Sequence, residues 1–505
     1  MFIKDTESLC PECLKVIPAT VYGEDGKVYI TKICPEHGEV TDIYWGDYSD
    51  YIRAEAYNDL GAKLTNPRTQ VNEGCPHDCG ICTEHQSHTV LALIDVTNRC
   101  NLRCPICFAH AGAAGYLYEP SKEQILGMLK NLMANDPVPP PAVQFSGGEP
   151  TVREDLPALI EAAMGMGFVH SQVSTNGIRM AKDPDYCWAL KKVRLSTVYL
   201  QFDGVTPEPY MATRGADLLD IKMRAIRNLK AADFRSIVLV PVLVKGVNDH
   251  QVGDIIRFAI ENRDCIRSVN FQPVSFTGRI DRRQRERMRI TIPELMRLAE
   301  EQTDGLIGRD EWYPVSSTVP LCQFLTSAKD EKFVDLSPHQ HCGMGTYMFM
   351  DGDRVTPLSE QMNIEGFLDS LSTANEQLLQ GRTYRARMTA VSGLLRNVRF
   401  RMLKNFISAL IYRSDYHSLD RLHHNMVLIS AMHFMDAYNF DLDRVRRCVI
   451  HYAVPDGRII PFCAMNTLHR RSIEQKYARL LEADKLTPLF DVDGLRDKLK
   501  REAAS

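Results

Sequence analysis

No apolar run in this chain approaches the roughly 20 residues that a membrane-spanning helix needs; the longest are Ser236–Val244 and Met426–Met435. Met1–Cys10 holds no charged-then-apolar leader, so a cytosolic protein is expected. Charge of one sign is also in short supply. With 60 Lys and Arg against 64 Asp and Glu, a net charge of −4 gives no bulk drive towards nucleic acid. Internal repeats and low-complexity tracts are missing as well, so no repeat array is expected. The 44% hydrophobic and 25% charged residues are those of an ordinary globular protein. At 505 residues the chain is too long for one core, and about two to four domains are expected.

Cysteine, by contrast, is plentiful. Nine of the 15 fall before residue 108, as Cys10/Cys13/Cys34, Cys75/Cys79/Cys82 and Cys100/Cys104/Cys107. Without an export signal the thiols are kept reduced, so tight triplets point to metal and not to disulfides. The odd total also suits clusters held by three thiolates.

Four regions separate on pattern. Residues 1–50 carry two cysteine-bearing turns around β-like runs at Ala19–Tyr22 and Lys27–Ile33, a module too small to build a core without a metal staple. Residues 51–88 are a connector with the second triplet. Residues 89–280 alternate six strand-like runs with helical patterns. The runs are Val90–Val96, Ala142–Phe145, Phe168–Val173, Thr197–Phe202, Ser236–Val244 and Ser268–Phe271. Among the helices, Ser121–Ala134 opens on a Ser121/Gln124 capping box. The fold class expected is α/β, with a parallel sheet forming a partial or open barrel. Residues 281–505 read as mostly helical; the Met-rich stretch Met402–Tyr438 reads as core.

Asn98-Arg-Cys-Asn-Leu-Arg-Cys-Pro-Ile-Cys-Phe108 directly follows the first of those strands. Cys100, Cys104 and Cys107, spaced C-x3-C-x2-C, suit three irons of a [4Fe–4S] cube and leave the fourth iron without a protein ligand. The amino and carboxylate groups of S-adenosylmethionine (SAM) chelate such an iron. An electron from the cluster then splits a carbon–sulfur bond and yields a 5′-deoxyadenosyl radical able to remove an unactivated hydrogen. Ser146, Gly147, Gly148 and Glu149 follow the second strand, where glycine lets backbone approach a ligand closely. Ser174 and Asn176 end the third strand and Asp203 the fourth, positions where loops of parallel strands gather around a ligand. With Phe108 one residue past the third cysteine, the set resembles the radical SAM superfamily over roughly residues 88–280. The resemblance implies a partial (β/α)6 barrel, with Phe108 and those loop residues around SAM. The alternative is a structural zinc triplet beside an unrelated α/β domain.

Cys75, Cys79 and Cys82 repeat the spacing but follow no strand, and read as an auxiliary iron–sulfur cluster or a zinc site. His77 and His85 beside them read as solvated loop residues. Cys10, Cys13, Cys34 and His37 have the spacing of a tetrahedral quartet for zinc or a rubredoxin-like iron. Cys322, Cys342, Cys448 and Cys463 lie in turn-like contexts and are candidates for a further cluster, whereas Cys187 and Cys265 fit helix packing.

Taken end to end, the Cys-Pro-Glu-Cys and Cys-Pro-Glu-His-Gly head, Cys75–His85, the central motif, His433–Val445, Cys448–Tyr452 and Pro461–Asn466 resemble the archaeal tetraether lipid synthase family and its bacterial relatives. That resemblance implies several iron–sulfur clusters and a mononuclear metal. It also implies the joining of terminal methyl carbons of isoprenoid ether lipids, fed by a low-potential electron donor and with peripheral membrane contact. Gly278–Arg289, with six arginines against one aspartate and one glutamate, suits a phosphate headgroup or a solvated turn. Two other readings stay open: methylation of a pterin precursor in methanopterin synthesis, a role also assigned within the group, and modification of a peptide. A long apolar tunnel favours lipid; a compact polar pocket with aromatic stacking favours pterin.

Overall fold

A computed structural model of the chain describes residues 1–329, 331–352, 354–399, 402, 426–479 and 487–504. Much of the Met402–Tyr438 stretch read as core, residues 403–425, lies outside the described residues.

The head is a four-stranded antiparallel meander of β1 (Phe2–Leu9), β2 (Val16–Glu24), β3 (Lys27–Cys34) and β4 (Gly38–Trp45), in that order. The middle strands are the β-like runs of the sequence, where apolar residues alternate; Val28 and Ile30 of β3 are fully buried. The outer strands carry more polar residues and lacked that signal.

The second sheet is built on β5 (Leu91–Thr97), β6 (Ala142–Gly147), β7 (His170–Thr175), β8 (Thr197–Gln201), β9 (Ile237–Val240) and β11 (Ile266–Pro273), all parallel to their neighbours. A short β10 (Val242–Leu243) pairs with β11. These are the six strands expected from the sequence. The helix Lys122–Met133 starts at the anticipated capping box, with Gln124 N donating to Ser121 Oγ at 3.2 Å and Ser121 N to Gln124 Oε1 at 2.8 Å. Each strand turns its apolar residues towards the helices: Ala92, Ile94 and Val96 of β5 and Val143 and Phe145 of β6 are fully buried. The alternate residues, such as Asp95, Gln144 and Ser146, line the barrel interior.

The C-terminal region has the expected helices, among them Ile364–Leu379 and Thr383–Asn397, and it also completes the barrel sheet. It supplies β12 (Tyr313–Pro314), β13 (Gly343–Asp351), β14 (Arg354–Pro357), β15 (Met426–Met432), β16 (Ile450–Ala453) and β17 (Ile459–Pro461). β15 runs parallel beside β11 at one edge and β16 parallel beside β5 at the other. Both were hidden in the sequence because a short apolar run does not distinguish strand from helix. No helix among the described residues is long and apolar enough to cross a membrane.

The arginine-rich segment serves the fold. Arg289 is buried between two carboxylates, Asp42 of β4 at 2.9 Å and Asp436 at 3.0 Å, and Arg285 reaches Asp42 at 2.7 Å while lying over the Tyr438 ring. These guanidiniums join the head to the barrel, so two of the arginines considered for a headgroup are already paired. Replacing Arg289 by Ala takes the guanidinium from buried Asp436 and leaves Asp42 with Arg285 alone, and is expected to cost about 3–5 kcal/mol, read as a lowered denaturant midpoint. Arg283→Ala, at an exposed position, is expected to leave the midpoint unchanged.

Candidate active site

The cysteine loop leaves the carboxyl end of β5 and is held there by backbone of the next strand. Gly148 N donates to Thr97 O at 2.7 Å and Glu149 N to Arg99 O at 2.8 Å. A side chain at Gly147 would strike the Thr97 carbonyl, and one at Gly148 the Arg99 carbonyl, so this seam requires glycine at both positions. Farther along the loop, Cys107 and Arg279 exchange backbone hydrogen bonds of 3.0 and 2.9 Å. Cys100 is buried, and Cys104 and Cys107 are half-buried. Burial pushes the Cys100 thiol well above its ordinary value, the Glu149 charge adding to the effect, and burial raises Cys104 as well. Thiolates at such depth persist when a metal neutralises them.

The loop residues picked from the sequence divide by what they touch. Ser146 and Ser174 line the barrel cavity. Glu149 is buried and accepts from Thr151 N at 3.1 Å, Thr175 Oγ1 at 2.7 Å and Asn176 N at 2.7 Å. Asn176 in turn donates from Nδ2 to Asn101 Oδ1 of the cysteine loop at 2.8 Å. Asp203 is buried and takes two bonds from the Arg214 guanidinium, at 2.6 and 2.8 Å, and one from Val242 N at 3.1 Å. Arg214 also reaches Ile106 O at 3.2 Å, so this pair tethers the cysteine loop. Lys222 is buried, donates to Asn176 O and, at 2.8 Å, to Gln201 Oε1, and is lowered to about 7 by burial. Arg214 and Lys222 escaped the sequence reading because each sits inside a helix with no motif around it.

The barrel encloses a cavity of about 470 Å³, bordered at the loop by Cys107, Phe108, Ser146 and Gly147. Its polar face comes from Gln144, Gln172, Tyr199 and Asn270 on separate strands. The Tyr199 hydroxyl oxygen accepts from Asn270 Nδ2 at 2.5 Å and Gln272 Nε2 at 3.1 Å, while Asn270 Oδ1 has no hydrogen-bond partner. The rest of the lining is aliphatic, from residues such as Leu93, Val240 and Leu428, and aromatic. Phe434 stacks on Phe462 at 4.1 Å and Tyr452 on Phe462 at 5.4 Å, with Phe108 edge-on to both phenylalanines at 5.7 and 5.9 Å.

In the head, the ligand atoms of Cys10, Cys13, Cys34 and His37 lie within 4.8 Å of one another. The Cys13–Cys34 sulfur distance is 3.9 Å, and His37 Nδ1 stands 3.6 Å from Cys10 Sγ and 3.5 Å from Cys34 Sγ. Tetrahedral zinc with bonds near 2.3 Å to sulfur and 2.0 Å to nitrogen implies edges of roughly 3.8 and 3.5 Å. The quartet fits that ion.

Among the described residues this is the one group so converged; a [4Fe–4S] cube, with one thiolate per iron, does not require it. Cys79 is buried and is raised by its hydrogen bond to Cys75, by burial, and by the charges of Cys75, Cys82 and Cys448. Cys75, Cys448 and Cys463 pack at the edge of the same apolar cluster. Cys342 accepts from Arg444 Nε at 3.4 Å. Cys322 stands apart in the helix Val319–Lys329, near Asp335 and Leu336. His85, read as solvated, is buried: its Nε2 is 2.8 Å from Cys448 O and 3.2 Å from His451 Nε2. His77 is exposed, and Cys187 and Cys265 are buried packing residues.

A radical SAM superfamily model matches residues 94–259, and a model described as the HMPTM N-terminal zinc ribbon domain matches residues 2–46. The 7,8-dihydro-6-hydroxymethylpterin dimethyltransferase of Methanocaldococcus jannaschii is 50% identical over 491 residues, covering 95% of this chain and 96% of its own. The chain belongs to that relative's family, within the radical SAM superfamily. The GTP 3′,8-cyclase of Listeria monocytogenes is 30% identical over 192 residues, 37% of this chain and 55% of the cyclase. This chain therefore spans about half of that cyclase. Streptococcus suis SuiB bound to SAM is 19% identical, covers 44% of this chain and 48% of its own, and gives a TM-score of 0.34.

The family's cofactors are a [4Fe–4S] cluster and SAM, and the head is a zinc ribbon. The near full-length dimethyltransferase match overturns the expectation of lipid-chain coupling, and the tetraether resemblance gives way with it. The motifs behind that resemblance are cysteine motifs suited to metal, so they report the chemistry and not the substrate. Replacing Cys100, Cys104 or Cys107 by Ala is expected to remove one cluster's iron and abolish 5′-deoxyadenosine formation while the ribbon metal stays. His37→Ala is expected to do the reverse to the metals, depleting the ribbon alone. Elemental analysis with electron paramagnetic resonance reads both; loss of both metals in either variant would contradict separate sites.

Proposed function

We propose that this chain is a radical SAM methylase of a 7,8-dihydropterin, the substrate class in its Methanocaldococcus relative's name. The observation that carries the reading is the cavity beside the cysteine loop, where polar side chains and a cluster of aromatic rings meet within an otherwise aliphatic lining. At about 470 Å³ it has the size of a small-molecule site. A flat bicyclic heterocycle stacks on rings such as Phe434, Phe462 and Tyr452. Its ring nitrogens and exocyclic groups find partners on Gln144, Gln172, Tyr199 and Asn270.

A carbon of a dihydropterin must lose a hydrogen before a methyl can stand in its place, and the radical route removes it as a hydrogen atom. Held by Cys100, Cys104 and Cys107, the cluster supplies with SAM and one electron from a low-potential donor the 5′-deoxyadenosyl radical for that step. The chain's own part is positional. The Gly147–Gly148 seam and the Asp203–Arg214 tether fix the loop, Ser146 and Ser174 line the cavity where SAM would lie, Asn176 holds Asn101 of the loop, and Phe108 borders the cavity beside it. Cys75, Cys79 and Cys82 are the candidate ligands of a second cluster, and the nearness of Cys448 to Cys79 supports it as a fourth.

The test is anaerobic incubation with SAM, dithionite and 7,8-dihydro-6-hydroxymethylpterin deuterated at its carbon positions. Deuterium is expected in the 5′-deoxyadenosine, whose formation rises when the pterin is added. Unlabelled 5′-deoxyadenosine at one rate with and without pterin would overturn the reading. This readout does not depend on which compound donates the methyl.

A further inference from the structure

Asp95 has no part in the site as built so far. It is the single acid in Leu91-Ala-Leu-Ile-Asp-Val-Thr97, 5% exposed, and it lines the barrel cavity from β5 opposite Ser146 of β6. Its Oδ2 accepts from Arg470 Nη1 at 2.5 Å, whereas its Oδ1 has no hydrogen-bond partner. A buried carboxylate oxygen without a donor is unfavourable in the free protein and is satisfied when a ligand brings an N–H.

The surroundings leave that buried oxygen unpaired. Arg470 is fixed by Asn466 Oδ1 at 2.9 and 3.1 Å and by Glu474 Oε1 at 3.0 Å, and it lies 5.2 Å over the Tyr452 ring. Asn466 sits in, and Arg470 directly after, the π-helical turn Met465–His469. Such turns take up an extra residue and re-aim side chains, commonly at functional sites. One guanidinium therefore locks Oδ2 and orients the carboxylate, and the aromatic face begins beside it, since β16 carries Tyr452 opposite Leu93 of β5.

We propose that Asp95 is the specificity-determining residue for the pterin, accepting from its 2-amino group and N3–H. This assignment rests on the pterin reading above. The two donors of that edge are parallel and match the two oxygens of a carboxylate, and Oδ2 keeps a second lone pair beside the one given to Arg470. A substrate without adjacent donors leaves Oδ1 unpaired and is discriminated against for that reason. The competing donor in the same cavity is the SAM amino group, and the experiment separates the two.

The anaerobic, cluster-loaded enzyme saturated with SAM is titrated calorimetrically with 7,8-dihydro-6-hydroxymethylpterin and with the analogue bearing hydrogen in place of the 2-amino group. Wild type is expected to bind the analogue roughly 10- to 100-fold more weakly than the pterin. Asp95→Asn is expected to lose about that factor for the pterin and little for the analogue, with the KM for SAM in uncoupled cleavage unchanged. Equal loss for both ligands, or a raised KM for SAM in its place, would assign Asp95 to the frame or to SAM and overturn the proposal. If the variant does not fold, wild type decides: equal affinity for pterin and analogue overturns it. No binding of the pterin by wild type is a different failure, that of the pterin reading itself.

Discussion

The structure depends on one short seam of backbone, in which Gly148 N and Glu149 N reach back to the Thr97 and Arg99 carbonyls. A radical generated at the mouth of the barrel is useful only if its source is fixed with respect to the substrate. The seam achieves this with main-chain groups, which have no rotamers to lose, and its closeness excludes side chains at Gly147 and Gly148. Everything buried nearby reinforces it: Glu149 ties it to β7 through Thr175 and Asn176, and Asp203 with Arg214 holds the loop at Ile106.

The second constraint is that the six-stranded parallel barrel is open at both edges. An uncovered parallel edge exposes unpaired backbone and leaves a cavity without walls. The C-terminal region solves both problems, β15 pairing along β11 and β16 along β5. Those two additions also carry the aromatic face, Phe434 following β15 and Tyr452 lying on β16, with Phe462 following β17. Chain that extends the barrel sheet at both edges thus also lines the cavity, an economy that ties the sheet and the cavity to the same residues.

Legibility in the sequence followed local order. The six barrel strands, the Ser121–Gln124 capping box and the ribbon quartet with His37 were visible because each is set by residues near in sequence: periodicity, a cap, or ligand spacing. β15 and β16 were not, since their state depends on docking against β11 and β5, and an apolar heptapeptide does not announce its partner. Arg285 and Arg289 read as part of either an anion site or a solvated turn because their carboxylates, Asp42 and Asp436, are remote in sequence. Burial of His85 against His451 was hidden for the same reason.

The substrate was misread for a related cause. Cysteine motifs that run the length of a chain report how the radical is made and where clusters sit, which relatives acting on different substrates have in common. The cavity is lined instead from the inward-facing positions of the strands, where Asp95, Gln144, Gln172, Tyr199 and Asn270 fall outside any cysteine or glycine motif. One of these did carry a signal in the sequence: an aspartate within an apolar parallel strand must be paired or must serve a ligand, because burial of an unpaired carboxylate is otherwise too unfavourable. Arg470 satisfies half of Asp95 from nearly 400 residues away in sequence (375 positions on). The half left unsatisfied is therefore more informative about the substrate than the cluster motifs are.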